Sequence, residues 1–397
     1  VKIIKYTYKF RLKPTKEQEI LLNKHFGSIR WSYNYFLNQR KQEYLDHKKS
    51  LNYYDQSKEL TQLKQNEETE WLKEANSQAL QYSLKCLDQA YQNFFKKRSG
   101  FPKFKSRRSR NSFTVNQHVK NQGKMIHFPK FNEGIKMIME REIKGKIKKA
   151  TISKEPSGKY FVTILTEKKY IPVPKSGKKV GIDLGLKDFI VLSNGSKTKN
   201  HRFLKHYLKQ LKVHQKHLAR KQKGSNRYEK QRIKVAKIHE KITNSRMDMI
   251  HKTTKDLIEK FDVIYLEDLN IKGMIKNPKL SISIQDVSWG KFIETLTYKA
   301  QWNDKEVIHI DRFFPSSKTC NKCGWINNSL ELKERSWTCK CGEVLDRDVN
   351  ASINILKEGL RMDIKDISAG TADHKHGAKI RPSDGKSYEV LKEKTLI

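Results

Sequence analysis

The sequence predicts a multidomain α/β protein, and three observations carry that prediction. The chain has 397 residues, too many for one ordinary core and enough for two to four domains. Strand-like alternation and helix-like spacing succeed one another along it in separate stretches. Four of its five cysteines fall between positions 320 and 341, in the spacing of a metal site rather than of a secreted disulfide framework.

The elements follow in order. The opening run does not read as a signal peptide. It alternates like a strand, with Ile4, Tyr6, Tyr8, Phe10 and Leu12 on one face and Lys5, Thr7, Lys9 and Arg11 on the other. Pro14 ends it. Thr15 then caps a helix, and Gln18 completes a capping box. Helical segments continue to about residue 98, where Leu80, Leu84, Leu87, Tyr91 and Phe94 recur at core spacing. Cys86 lies in this stretch and is expected to be a buried structural cysteine. Residues 100–110 interleave aromatic and cationic side chains. Phe101, Lys103, Phe104, Lys105, Arg107 and Arg108 suit a groove that tracks a nucleic-acid backbone, although a solvated basic loop has the same composition. Short alternating runs over 111–178, punctuated by Gly, Asn and Pro, predict a small antiparallel barrel that the first strand joins.

A new unit opens near Lys179. Val180–Gly185 reads as a buried strand, with Phe189–Leu192 its hairpin partner closed by Asn194-Gly195. Residues 201–260 predict a long basic helical pair broken at Gly224-Ser225, with Tyr228, Val235, Ile242 and Met249 as a heptad stripe. Residues 261–267 form a further strand. Trp289, Phe292, Leu296 and Lys299 mark a helix, and Val307–Ile310 a strand that leads into the cysteines. The polar tail beyond about residue 362 is expected to be disordered.

Cys320-x-x-Cys323 and Cys339-x-Cys341 each form a short thiolate-bearing turn. Gly324 and Gly342 follow them and permit the sharp backbone. Four thiolates close a tetrahedral site with no open position, so a bound Zn²⁺ is structural, and its affinity becomes folding free energy in so small a unit.

Composition sets the partners. The net charge is +40, from 83 Lys+Arg against 43 Asp+Glu. A surface that basic repels itself unless a polyanion screens it. Nucleic acid does so with counterion release as the driving force, and a membrane surface is the weaker candidate. A Lys-rich genome bias explains the preference for Lys over Arg but not the excess over acids. No stretch of about 18 apolar residues exists to span a bilayer, and an intracellular protein is expected.

Against this basic background three carboxylates stand in suggestive places. Asp183 interrupts an apolar strand. Glu267 ends another. Asp348 opens an amphipathic helix whose apolar face is Val349, Ile353, Leu356 and Leu360. Two-metal phosphodiester chemistry needs carboxylates converging from distant positions, with two Mg²⁺ roughly 3.5–4 Å apart. Singly, each has a plainer role: a strand-end Asp faces water, and Asp346 or Asp348 caps a helix. Their order along the chain is what points to a site.

Gly181-Ile-Asp-Leu-Gly, Tyr265-Leu-Glu-Asp-Leu and Leu345-Asp-Arg-Asp-Val-Asn-Ala resemble the three motifs of a RuvC-like nuclease. Phe313-Phe-Pro-Ser-Ser-Lys-Thr-Cys-Asn-Lys-Cys-Gly resembles the zinc-ribbon entry of the transposon-associated TnpB family, and Gly100-Phe-Pro-Lys-Phe-Lys its N-terminal half. The resemblance covers about residues 1–360. It implies an RNase H-like RuvC core (179–315 and 343–362) interrupted by a zinc ribbon (316–342). A wedge-type barrel (1–12 and 105–178) and a helical recognition lobe (13–104) precede the core, and residues 363–397 are the tail. It implies an RNA-guided DNA endonuclease related to compact type V CRISPR effectors. Its guide RNA would come from the transposon end, and it would cut double-stranded DNA beside a short adjacent motif. One chain would act per guide RNA, on nucleoid DNA in a prokaryotic cytoplasm. The implied triad is Asp183, Glu267 and Asp348 with two Mg²⁺, and one structural Zn²⁺ on Cys320, Cys323, Cys339 and Cys341. Asp346, Arg347 and Asn350 stand as supporting residues, and Arg246, in another family-like motif, as a nucleic-acid contact. A guided repressor that binds without cutting is the alternative, and the three retained carboxylates speak against it. A strand-joining transposase has no matching paired-His motif here.

Overall fold

The computed structural model describes residues 1–331 and 333–368, with side chains through residue 364. Two compact units divide them, 2–169 and 170–368.

The first unit comprises β1 (Lys2–Lys13), α1 (Lys16–His47), α2 (Tyr53–Leu63), a 3₁₀ turn (Glu67–Glu74), α3 (Ser77–Phe95), β2 (Asn111–Val115), β3 (Lys120–Gln122), β4 (Met125–Phe128), β5 (Phe131–Ile138), β6 (Lys146–Lys154) and β7 (Tyr160–Tyr170). Its seven strands form one sheet in the order β2-β6-β7-β1-β5-β4-β3. β1 therefore lies inside the sheet, and its alternation holds: Ile4, Tyr8, Phe10 and Leu12 are buried while Lys5, Lys9 and Arg11 are exposed. The capping box is present, with Gln18 N–H donating to Thr15 Oγ1 at 3.3 Å and Thr15 N–H to Gln18 Oε1 at 3.1 Å. One hydrophobic core joins β1, α1, α3 and the sheet, from Tyr8 and Phe36 through Leu84 to Ile164. The helices and the sheet share this core within one compact unit. Cys86 is exposed, contrary to expectation, because Leu84 and Leu87 take the buried positions of α3 and turn residue 86 outward.

The second unit holds β8 (Lys179–Leu184), β9 (Asp188–Leu192), β10 (Lys197–Lys199), α4 (Phe203–Ala219), α5 (Asn226–Lys260), β11 (Val263–Glu267), α6 (Ile271–Ile275), α7 (Ser281–Val287), α8 (Trp289–Trp302), β12 (Glu306–Ile310), β13 (Ser336–Thr338), β14 (Val344–Asp346) and α9 (Arg347–Ser368). Its main sheet runs β10-β9-β8-β11-β12. β8, β9 and β10 pair antiparallel, while β11 lies parallel between β8 and β12. The apolar runs of β8 and β11 suit strands covered on both faces. Asn194-Gly195 closes β9 onto β10 rather than β8 onto β9. The first hairpin instead turns at residues 185–187, and Gly195, at φ +85°, takes the left-handed turn of the second. The basic helical pair is α4 and α5, sealed by Leu211, Ile238 and Ile242 with Tyr207 and Val235 beside them.

α9 packs on β8, and two glycines let it approach. A Cβ on Gly181 would lie 2.2 Å from the Ser352 carbonyl oxygen, and one on Gly359 2.1 Å from the Tyr265 ring. So close a contact favours small and polar residues on the inward side. The buried positions of α9 are Asn350, Ala351, Ser352, Asn354, Ile355 and Gly359, while Val349, Ile353, Leu356 and Leu360, the expected apolar face, are half-buried. Residues 363–368 continue α9, so the expected tail is helical there. The rest of it lies outside the described residues.

Candidate active site and cysteine cluster

Asp183 stands near the end of β8 and Glu267 at the end of the neighbouring parallel strand β11, where Leu266 pairs with Ile182. Parallel pairing places both carboxylates at the C-terminal ends of adjoining strands. α9 then delivers Asp348 in its first turn. The electrostatics record the convergence. The Asp183 carboxyl is pushed up to about 7, first by burial and then by the negative charges of Glu267 and Asp348, with Arg347 opposing them. Burial also raises Glu267, against a hydrogen bond from Ser316 Oγ to its Oε1. Arg335 lies 3.7 Å from Asp348.

Asp346 has a different role. Its Oδ1 accepts from the backbone N–H groups of Asp348 at 3.1 Å and Val349 at 3.0 Å, capping α9. Its Oδ2 meets Lys197 Nζ at 2.7 Å. Burial would raise this carboxyl, but Lys197 and the backbone donors outweigh it and hold it low. Asp346 therefore fixes the helix start that presents Asp348. Arg347 donates to the Glu331 carbonyl at 3.0 Å. Arg246 donates to the buried Asp286 carboxylate at 2.9 Å, which also accepts from the Leu204 backbone at the start of α4. Arg246, expected as a nucleic-acid contact, is thus also the internal partner of Asp286, a buried carboxylate that needs a cation.

The four cysteine sulfurs lie within 4.8 Å of one another and can hold a metal ion, and all-thiolate donors suit Zn²⁺ in a closed structural site. Burial opposes ionisation of Cys320, but the backbone N–H groups of Cys323 and Lys322 outweigh it and set this thiol at about 7. Burial and neighbouring thiols push Cys339 up to about 12. One thiolate makes the next costly, and a divalent cation removes that repulsion. β13 and β14 pair from Ser336–Asp346 to Thr338–Val344. The two-stranded ribbon thus extends past residue 342, the expected boundary, and ends directly before Asp348.

Asn350, expected to support the site, binds the cysteine turn. Its Oδ1 accepts from the backbone N–H of Asn321 at 2.9 Å, and its Nδ2 donates to the Thr319 carbonyl at 2.7 Å. Ser316, Asn354, Arg335 and Lys197 escaped the sequence reading. Asn354 carried a signal, a second asparagine one helical turn after Asn350. Ser316 lay inside the quoted run before Cys320 but looked like loop.

In the first unit, Lys103, Arg107 and Arg108 are exposed. Phe101 packs edge-on against Tyr91 and Phe94, and Lys41 lies over Phe104 at 5.4 Å. Lys105 is half-buried with its ammonium 3.9 Å above the Tyr33 ring, and its backbone exchanges two hydrogen bonds with Asn34. Lys105 thus anchors the segment that carries its exposed neighbours.

The second unit thus combines a five-stranded mixed sheet, carboxylates at the ends of two of its inner strands, and a four-cysteine ribbon. A family model described as "Probable transposase", OrfB of the IS605 type, matches residues 160–278. The "Cas12f1-like, TNB domain" matches 289–355. A "Helix-turn-helix domain" matches 4–49, which here is one strand followed by one long helix. A Streptomyces pristinaespiralis protein named "Putative RNA-guided DNA endonuclease" is 36% identical over 362 residues, covering 90% of each chain. An Escherichia coli K12 protein named "Putative RNA-guided DNA endonuclease InsQ" is 32% identical over 89% of this chain and 92% of its own. The fold is similar to that in a cryo-EM structure of a Cas12f1-sgRNA-target DNA complex, with a TM-score of 0.51 and 13% identity over 89% of this chain and 98% of that one. The chain belongs to the TnpB family, the OrfB family of IS605-type transposons. Among the described residues no helix is long and apolar enough to cross a membrane.

Proposed function

We propose that this protein is an RNA-guided DNA endonuclease of an insertion-sequence transposon, cutting target DNA by Mg²⁺-dependent hydrolysis at Asp183, Glu267 and Asp348. The observation that carries the reading is the gathering of these carboxylates from β8, β11 and α9, where burial first and then the charges of Glu267 and Asp348 raise Asp183 to about 7. A cluster that resists its own negative charge is suited to cations, and oxygen donors alone suit Mg²⁺. Two bound Mg²⁺ would supply an activated water and a stabilised leaving oxygen. The protein's residues do the rest. Asp183 and Glu267 are fixed by adjoining parallel strands, Asp348 by the Asp346 cap, and Arg335 and Arg347 balance the acidic group.

On this reading the five-stranded sheet with α9 is the RNase H-like RuvC core, and the cysteine segment is its inserted zinc ribbon. The sheet of the first unit is the wedge-type barrel, and α1–α3 are the recognition lobe. A guide RNA from the transposon end supplies sequence specificity by base pairing, and the protein reads a short motif beside the target. The basic α4–α5 pair and the exposed cations of 100–110 grip backbones. The relatives named as RNA-guided DNA endonucleases, aligned over most of both chains, support this assignment.

The test is to purify the protein with its RNA, sequence that RNA, and present the matching duplex with Mg²⁺. Cleavage beside a fixed short motif is expected. Tight guided binding without cleavage would make the protein a guided repressor instead.

A further inference from the structure

The β11 backbone is fixed by strands on both sides, but the Glu267 side chain extends beyond it on rotatable bonds. Ser316 Oγ donates to Glu267 Oε1. Ser316 is buried at 6% relative exposure and is held in turn. Its carbonyl accepts from Asn354 Nδ2 at 2.8 Å. Asn350 Nδ2 donates to the carbonyl of Thr319, the neighbour of Cys320, at 2.7 Å. The Asn350 Oδ1 receives the backbone and side-chain N–H groups of Asn321 at 2.9 and 3.0 Å. Asn321 lies inside the Cys320–Cys323 turn. Two asparagines one turn apart on α9 thus clamp residues 316–321 on both sides of Cys320. Both are buried, Asn350 at 1% and Asn354 at 4%, where such amides persist only when satisfied.

We infer that Ser316 is a positioning residue for Glu267, and that the asparagine clamp makes the cysteine site set the orientation of this carboxylate. Glu267's role as a metal ligand rests on the function proposed above; the hydrogen-bonded path does not. The hydroxyl occupies Oε1 and restrains the carboxylate, whose remaining lone pairs would be left to bind a cation. Without it Glu267 must lose rotamer freedom each time a cation binds. A hydrogen bond to a charged group of this kind corresponds to about tenfold in affinity.

The test uses the full chain with its RNA and Mn²⁺ as the probe, titrated by electron paramagnetic resonance, alongside cleavage at varied Mg²⁺. Ser316→Ala is expected to weaken Mn²⁺ binding about tenfold and to raise the Mg²⁺ needed for half-maximal cleavage by a similar factor. The rate at saturating Mg²⁺ should stay within about twofold, and zinc content and melting temperature should not change. Ser316→Thr, which keeps the hydroxyl, should restore metal affinity. Unchanged Mn²⁺ affinity in Ser316→Ala overturns the inference, as does a normally melting Thr variant as weak as the Ala one. Wild-type protein that binds Mn²⁺ but does not cut would sink the proposed function and leave the positioning role standing.

Discussion

The protein carries two clusters of like-charged ligands, and they are built in opposite ways. The cysteine cluster comes from one stretch of chain, positions 320 to 341, and closes on itself with four sulfurs within 4.8 Å. The carboxylate cluster comes from positions 183, 267 and 348 on three separate elements. The first is soft, complete and suited to holding a fold together. The second is hard and suited to chemistry on phosphate. They are joined by a few residues of chain, β14 with the Asp346 cap on one side and Ser316 with the asparagine clamp on the other. A local cluster organises a distributed one.

The largest effects should separate the two clusters by kind. Asp183→Asn is expected to lower guided cleavage by at least ~10³-fold, about 4 kcal/mol of transition-state stabilisation, while stabilising the metal-free fold. The sign follows from linkage. The folded carboxyl is raised to about 7 from its ordinary value near 4. The folded state therefore binds more protons between those values, and stability falls as pH rises from about 4 to about 7. Melting at pH 8 in chelator should show the Asn variant as the more stable, by as much as ~4 kcal/mol. A less stable Asn variant would mean that burial and the neighbouring carboxylates do not disfavour the Asp183 charge.

Cys339→Ser should do the reverse. Zinc content should fall, residues 316–346 should lose hydrogen-exchange protection, and cleavage should drop through misplacement of Asp348 and Glu267. Full activity without zinc would break the link between the clusters.

Gly359→Ala tests the packing that brings α9 to the sheet. Its new Cβ would meet the Tyr265 ring at 2.1 Å, and a loss of about 1–3 kcal/mol in denaturant melting is expected. The smallest effect belongs to Asp346→Ala, which removes the cap of α9. It should cost ~1 kcal/mol of stability and lower cleavage by less than about tenfold, far below the Asp183 variant. An equal loss in the two would return Asp346 to the metal site.

Much of this was legible along the chain. The β1 alternation, the Thr15 capping box and the cysteine turns follow from local chemistry, and the motif order pointed to the three carboxylates. Errors gathered where one element meets another. The apolar positions assigned to α9 are only half-buried, because Gly181 draws the helix close enough to bring small and polar residues such as Ser352 inward as well. The pairing of Arg246 could not be read because Asp286 is forty positions away, nor could the anchoring of the Asp346 cap by Lys197, which comes from another strand.

The sequence by itself determined the candidates: four thiols at metal spacing, three carboxylates in order, and a basic chain suited to a polyanion. Backbone turns and side-chain chemistry act over a few residues and can be read there. The tertiary structure alone decided which carboxylate caps and which faces the cluster, and that Ser316 turns its hydroxyl to Glu267. Burial, charge repulsion and hydrogen-bond partners depend on what folding brings within a few ångströms, and the order of residues does not state that distance.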